Sequence, residues 1–134
     1  MKKRVFVAFL FFSFLFIASH AIEAQGGGKA EPNRISFRRG AHSSTVNGKV
    51  KGDEQAEYVF GAGGGQIIDI TIAAVPVNAI NIELHGPNGE LYQPKWTGRK
   101  WTGNLPETGD YLIYVKIAQP GPRKATYTLT LAIR

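Results

Sequence analysis

From Arg34 to the C-terminus, apolar side chains recur at every second position in short runs broken by turn residues. Ile68, Ile70 and Ile72 alternate with Asp69 and Thr71, and Ile80, Ile82 and Leu84 alternate with Asn81 and Glu83. Tyr111, Ile113, Val115 and Ile117 fall on one face of the run Asp110 to Ala118. Tyr127, Leu129, Leu131 and Ile133 do the same in Lys124 to Ile133, with threonines among the opposite positions. A period of two is the signature of half-buried β-strands, whose successive side chains point to opposite faces. A slip of one residue in the last run would expose all four apolar groups, so its register is strongly specified.

Shorter runs fill the gaps. Ile35 to Phe37 reads as a short edge strand, Ser44 to Val50 as a polar strand and Glu57 to Phe60 as a strand with Tyr58 and Phe60 facing the core. Leu91 and Tyr92 form a brief run, and Thr97 to Asn104 another. Gly61 to Gly65 reads as a hairpin turn, Gly86 to Gly89 and Leu105 to Gly109 as turns, and Gln119 to Pro122 as a hairpin loop. No helical period is found in this part of the chain. The pattern predicts an all-β fold, a single antiparallel β-sandwich of about eight strands over residues 34–134.

The start of the chain follows a different rule. Lys2, Lys3 and Arg4 precede an apolar run from Val5 to Ile17, followed by small residues up to Ala24. This predicts a secretory signal peptide over residues 1–24, cleaved after Ala24 or after Ala21. The run is shorter than the ~20 apolar residues of a spanning helix, so no membrane span is expected after cleavage. Gln25 to Asn33 is glycine-rich and reads as a flexible lead. Export predicts a periplasmic or secreted protein.

Composition then narrows the function. The chain has no cysteine, which removes thiol catalysis, thiolate metal sites and disulfides together. Of 16 basic and 10 acidic residues, Lys2, Lys3, Arg4 and Glu23 leave with the leader, so the exported part carries 13 and 9, a net of +4. That is either an ordinary solvated surface or an attraction to an anionic partner such as an acidic protein cleft or an envelope polymer. Export and the lack of a dense basic stripe argue against nucleic acid.

Catalytic signatures are missing. His42 and His85 lie far apart with no ligand partner at a metal-binding spacing. Ser43 and Ser44 adjoin His42, but no nucleophile elbow follows. Asp53, Glu54 and Glu57 lack a calcium-loop ligand series, and the glycines at 61–65 precede neither a Lys-Ser/Thr pair nor a helix. The reading is a non-enzymatic protein without metal or cofactor. Lys95, Trp96, Arg99, Lys100 and Trp101 interleave cations with tryptophans, a pattern suited to a sugar ring or a protein hot spot if exposed, and to core packing if not. Trp101 is the better candidate for the core and Trp96 for the surface.

Read in order, Phe37, Gly40, Ser43-Ser44, Gly48, Val50-Lys51-Gly52, Tyr58-Val59-Phe60, Ala62, Gly65-Gln66, Gly86-Pro87, Leu105-Pro106, Gly109, Tyr111 and Tyr127-Thr128-Leu129 form a familiar series. It resembles the periplasmic inhibitors of g-type lysozyme and, more loosely, the bacterial pre-peptidase C-terminal β-sandwich domains, over about Ile35 to Ile133. The resemblance implies a standalone inhibitor that inserts loops into the acidic substrate cleft of a g-type lysozyme. It also implies contacts from the loop before the last strand, here Ala118 to Lys124, which offers Gln119, Arg123 and Lys124. In that family a tyrosine tends to follow the Lys-Gly pair; here the turn is Asp53-Glu54-Gln55. The alternative is a carbohydrate- or envelope-binding module built on Trp96, Arg99 and Trp101, with envelope polysaccharide as partner.

Overall fold

A computed structural model describes residues 31–96 and 99–134, with no side chain described between residues 93 and 98. The leader and most of the glycine-rich lead lie outside the described residues. Among the described residues nine strands follow one another: β1 Asn33–Arg34, β2 Ser43–Lys51, β3 Gln55–Ala62, β4 Ile67–Val75, β5 Ile80–His85, β6 Leu91–Trp96, β7 Lys100–Asn104, β8 Gly109–Ile117 and β9 Lys124–Ile133. They form a five-stranded sheet in the order β1-β3-β8-β5-β6 and a four-stranded sheet in the order β2-β9-β4-β7. All pairs are antiparallel except β1 with β3. The all-β sandwich read from the alternation is therefore the observed fold.

The alternation also assigns the inner faces correctly. Ile68, Ile70 and Ile72 of β4, Ile80, Ile82 and Leu84 of β5, Tyr111 to Ile117 of β8 and Tyr127 to Ile133 of β9 supply most of the buried core, with Tyr58 and Phe60 of β3. Two aromatic contacts tie the core together. The Tyr58 and Tyr127 hydroxyls meet at 2.7 Å between the sheets, and Phe60 stacks on Tyr111 at 5.6 Å. Burial, then the hydrogen bond to Tyr58, push the Tyr127 phenol far above its ordinary pKa.

Two turn expectations are corrected. Gly61 to Gly65 is not a hairpin turn, because β3 lies in the five-stranded sheet and β4 in the other. Gln119 to Pro122 is not a hairpin loop either, since β8 and β9 lie in different sheets. Strands that face each other across a sandwich bury the same alternate positions as hairpin neighbours, so periodicity alone does not separate the two arrangements. At the start, the edge strand is Asn33–Arg34 rather than Ile35 to Phe37, pairing parallel with Tyr58 and Val59. Ile35 continues that contact by donating its amide to Val59 at 2.8 Å and is itself buried.

The connections divide between two ends. One end carries residues 35–42, 63–66, 86–90 and 105–108, with the anchors Phe37, Gly65, Pro87 and Pro106 of the family resemblance, while Val50-Lys51-Gly52 lies at the other. Tyr111 donates its hydroxyl to the Glu107 carbonyl at 2.6 Å and accepts the Glu107 amide at 3.1 Å, pinning the turn that leads into its own strand. Pro87 packs so closely on Gly109 (φ 151°) that a Cβ there would stand 2.8 Å from its ring. We expect Tyr111→Phe to lose about 1–3 kcal/mol of stability, because both bonds go and a backbone amide is stranded. Denaturant unfolding of the two proteins measures this, and a difference of only a few tenths would mean that water replaces the hydroxyl.

Candidate functional site

The opposite end carries the β2–β3 turn at 52–54, the β4–β5 corner at 76–79, Arg99 before β7, and the β8–β9 loop at 118–123. Strand pairing brings them together: Lys51 lies opposite Lys124, Val75 opposite Thr126, and Ile80 opposite Ile117. Backbone hydrogen bonds then stitch the connections to one another. Gly52 donates to the Arg123 carbonyl at 2.8 Å, Ala118 to the Ala79 carbonyl at 2.8 Å, and Ile72 to the Arg99 carbonyl at 2.9 Å. Val75-Pro76 and Gln119-Pro120 are cis peptide bonds. The end of the sandwich is thus a set of cross-linked connections, a suitable base for presenting side chains.

Of the residues expected to bind a partner, Gln119, Arg123, Lys124 and Arg99 are all exposed at this end. The side chain of Trp96 lies outside the described residues. Trp101 pairs with Ile70, is half-buried against the core, and lays its ring over Gly103 of the same strand. It closes the open side of the four-stranded sheet instead of forming an exposed platform.

Three features here were missed in the sequence. Lys49 and Lys51 extend the basic surface, because β2 turns its alternate positions outward beside β9. Glu54 folds back on Lys51, accepting its backbone amide at 3.3 Å and approaching its ammonium at 3.8 Å, so its charge is partly neutralised. Val75 and Val77 are 70% and 61% exposed beside Pro76. The polar alternation of β2 and the break Val75-Pro76-Val77 were legible signals, but only the pairing shows that they adjoin Arg123.

A second polar cluster sits on the outer face of the five-stranded sheet. Lys116 contacts Glu83 at 2.8 Å, His85 approaches the same carboxylate at 3.6 Å, and Tyr114 meets the His85 ring edge-on at 4.9 Å. The Lys116 hydrogen bond, with help from its charge and from His85, holds the Glu83 carboxyl below the ordinary glutamate range. A depressed carboxyl contributes stability above its unfolded pKa and loses it as pH falls through the folded one. Acid unfolding of the wild type should therefore have a component that Glu83→Gln removes; identical acid limbs would show that the pair contributes nothing net.

His42 is exposed in the connection before β2 of the four-stranded sheet, whereas His85 lies on the outer face of the five-stranded sheet, so the two histidines do not form a site. No group of three His, Asp or Glu side chains among the described residues is placed to hold a metal ion. No helix among the described residues is long and apolar enough to cross a membrane.

The fold is thus a small β-sandwich whose cross-linked connections at one end adjoin the exposed cations Lys49, Lys51, Arg123 and Lys124. Its structural neighbours are periplasmic inhibitors of g-type lysozyme and a pre-peptidase C-terminal domain, the families its sequence resembles. PliG of Aeromonas hydrophila, a periplasmic inhibitor of g-type lysozyme, matches with a TM-score of 0.65 and 26% identity over 77% of this chain and 96% of that chain. PliG of Salmonella Typhimurium matches at 0.62 and 24%, over 78% and 100%. The pre-peptidase C-terminal domain of a Bacillus anthracis collagenase matches at 0.57 and 21%, over 81% and 100%. No protein-family model and no curated protein matches this chain.

Proposed function

We propose that the chain is an exported, non-enzymatic inhibitor of g-type lysozyme, acting in the periplasm or outside the cell after removal of residues 1–24. The observation that carries this reading is the match to the Aeromonas hydrophila inhibitor over 96% of its length. The end of the sandwich at 118–124 inserts into the acidic cleft of the enzyme, where Arg123 and Lys124 approach carboxylates, and Gln119 and Arg99 contact the cleft rim. The charge logic is direct: a glycosidase cleft is built around carboxyl groups, and cations on a fixed support meet them without first having to be ordered. The backbone bond from Gly52 to Arg123 is such a support.

The test uses residues 25–134 mixed with g-, c- and i-type lysozymes while wall lysis is followed. Stoichiometric inhibition confined to the g-type enzyme is the expected result. Lysis at an unchanged rate with all three would overturn the reading.

A further inference from the structure

Between the β2–β3 turn, the β4–β5 corner and the start of β9 lies a cleft of about 910 Å³. Its charged lining is four cations, Lys49, Lys51, Arg123 and Lys124, against one anion, Glu54. Lys51 and Lys124 are directly opposed across the β2–β9 pair. Like charges in that position repel and weaken the pairing, and Glu54, 3.8 Å from the Lys51 ammonium, relieves only one of them. The wall facing these cations is apolar: Val75 and Pro76 border the cleft, and Val77 continues the ridge, with Val75 70% and Val77 61% exposed. A concave surface joining unneutralised cations to exposed valines is complementary to a ligand that is both anionic and apolar.

We propose that this cleft binds an acidic, apolar segment of a protein partner, with a carboxylate between Lys51 and Lys124 and the adjoining apolar side chain against Val75 and Pro76. The site deepens the function proposed above and rests on it only for the partner's identity. It adds β2 and the β4–β5 corner to the recognition surface beside Arg123 and Lys124.

The isotope-labelled domain titrated with the capped tripeptide acetyl-Glu-Leu-Glu-amide tests this by NMR. Shifts should be confined to residues 49–51, 75–77 and 123–126. The neutral acetyl-Gln-Leu-Gln-amide should not reproduce them. Lys51→Glu and Val75→Ser, both at exposed positions, should each weaken the peptide about tenfold. No shifts, shifts elsewhere, or equal shifts with the neutral peptide would overturn the proposal. So would a failure of the acidic peptide combined with binding to phosphatidylglycerol-containing vesicles, which would assign the surface to a lipid. If the peptide binds in the cleft but no lysozyme is inhibited, the cleft stands and the lysozyme reading falls; inhibition without peptide binding gives the reverse.

Discussion

Gly48→Val is expected to destabilise the domain by at least about 3 kcal/mol, enough to leave a large fraction unfolded in a marginally stable protein of this size. Gly48 lies opposite Tyr127 in the β2–β9 pair, on the inner face. The Tyr127 ring occupies the space where a side chain would stand, and a Cβ at position 48 would come within 2.5 Å of its Cζ. The ring has nowhere to go. Tyr127 is 4% exposed, and its hydroxyl is fixed at 2.7 Å from that of Tyr58 across the core. A side chain at 48 must therefore either displace the tyrosine, breaking a buried hydrogen bond, or push β2 off the sheet. Denaturant unfolding measures the loss. The double variant Gly48→Val with Tyr127→Ala should recover part of it, because the added and removed volumes overlap. A wild-type-like midpoint for Gly48→Val alone would mean that β2 is not held as described.

Arg123→Glu is expected to abolish inhibition of g-type lysozyme, weakening the complex about 100-fold or more, while leaving the unfolding midpoint within about 0.5 kcal/mol of wild type. The asymmetry follows from the geometry. The Arg123 side chain is exposed, and the support it rests on comes from its own carbonyl, which accepts the Gly52 amide and is unaffected by the substitution. The new carboxylate would face the carboxyl groups of the enzyme, turning attraction into repulsion. Inhibition assays at low and high salt provide the check: the loss should shrink as salt screens the repulsion. Undiminished inhibition would remove Arg123 from the contact.

The two variants also show why a resemblance in sequence and an activity are separate matters. Pro87, Gly109 and Tyr111 are anchors of the resemblance at the end away from Arg123, where Pro87 packs on Gly109 and Tyr111 holds the turn at Glu107. They hold turns in place at that end. The likeness to the lysozyme inhibitors accordingly reports the scaffold strongly, and the residues at 53–54 and 118–123 fall outside the matched anchors.

The sequence by itself determined which side chains of β3, β4, β5, β8 and β9 face inward. Alternation is a local property, and Ile68, Ile82, Ile113 and Leu129 are buried as their spacing requires. It also determined the class of fold and the lack of thiol chemistry, and the export signal is a reading of sequence alone. What it left open was the neighbour of each strand. A run such as Asp110 to Ala118 buries the same residues whether the next strand lies beside it or across the core, so the loop at 119–122 read as a hairpin. Only the tertiary structure places β8 and β9 in different sheets, sets Lys51 opposite Lys124, and brings Val75 to the cleft beside Arg123. Those juxtapositions join residues that are far apart in the chain. They are set by strand pairing and by the packing of one sheet on the other, and a period of two along a single strand carries no information about either.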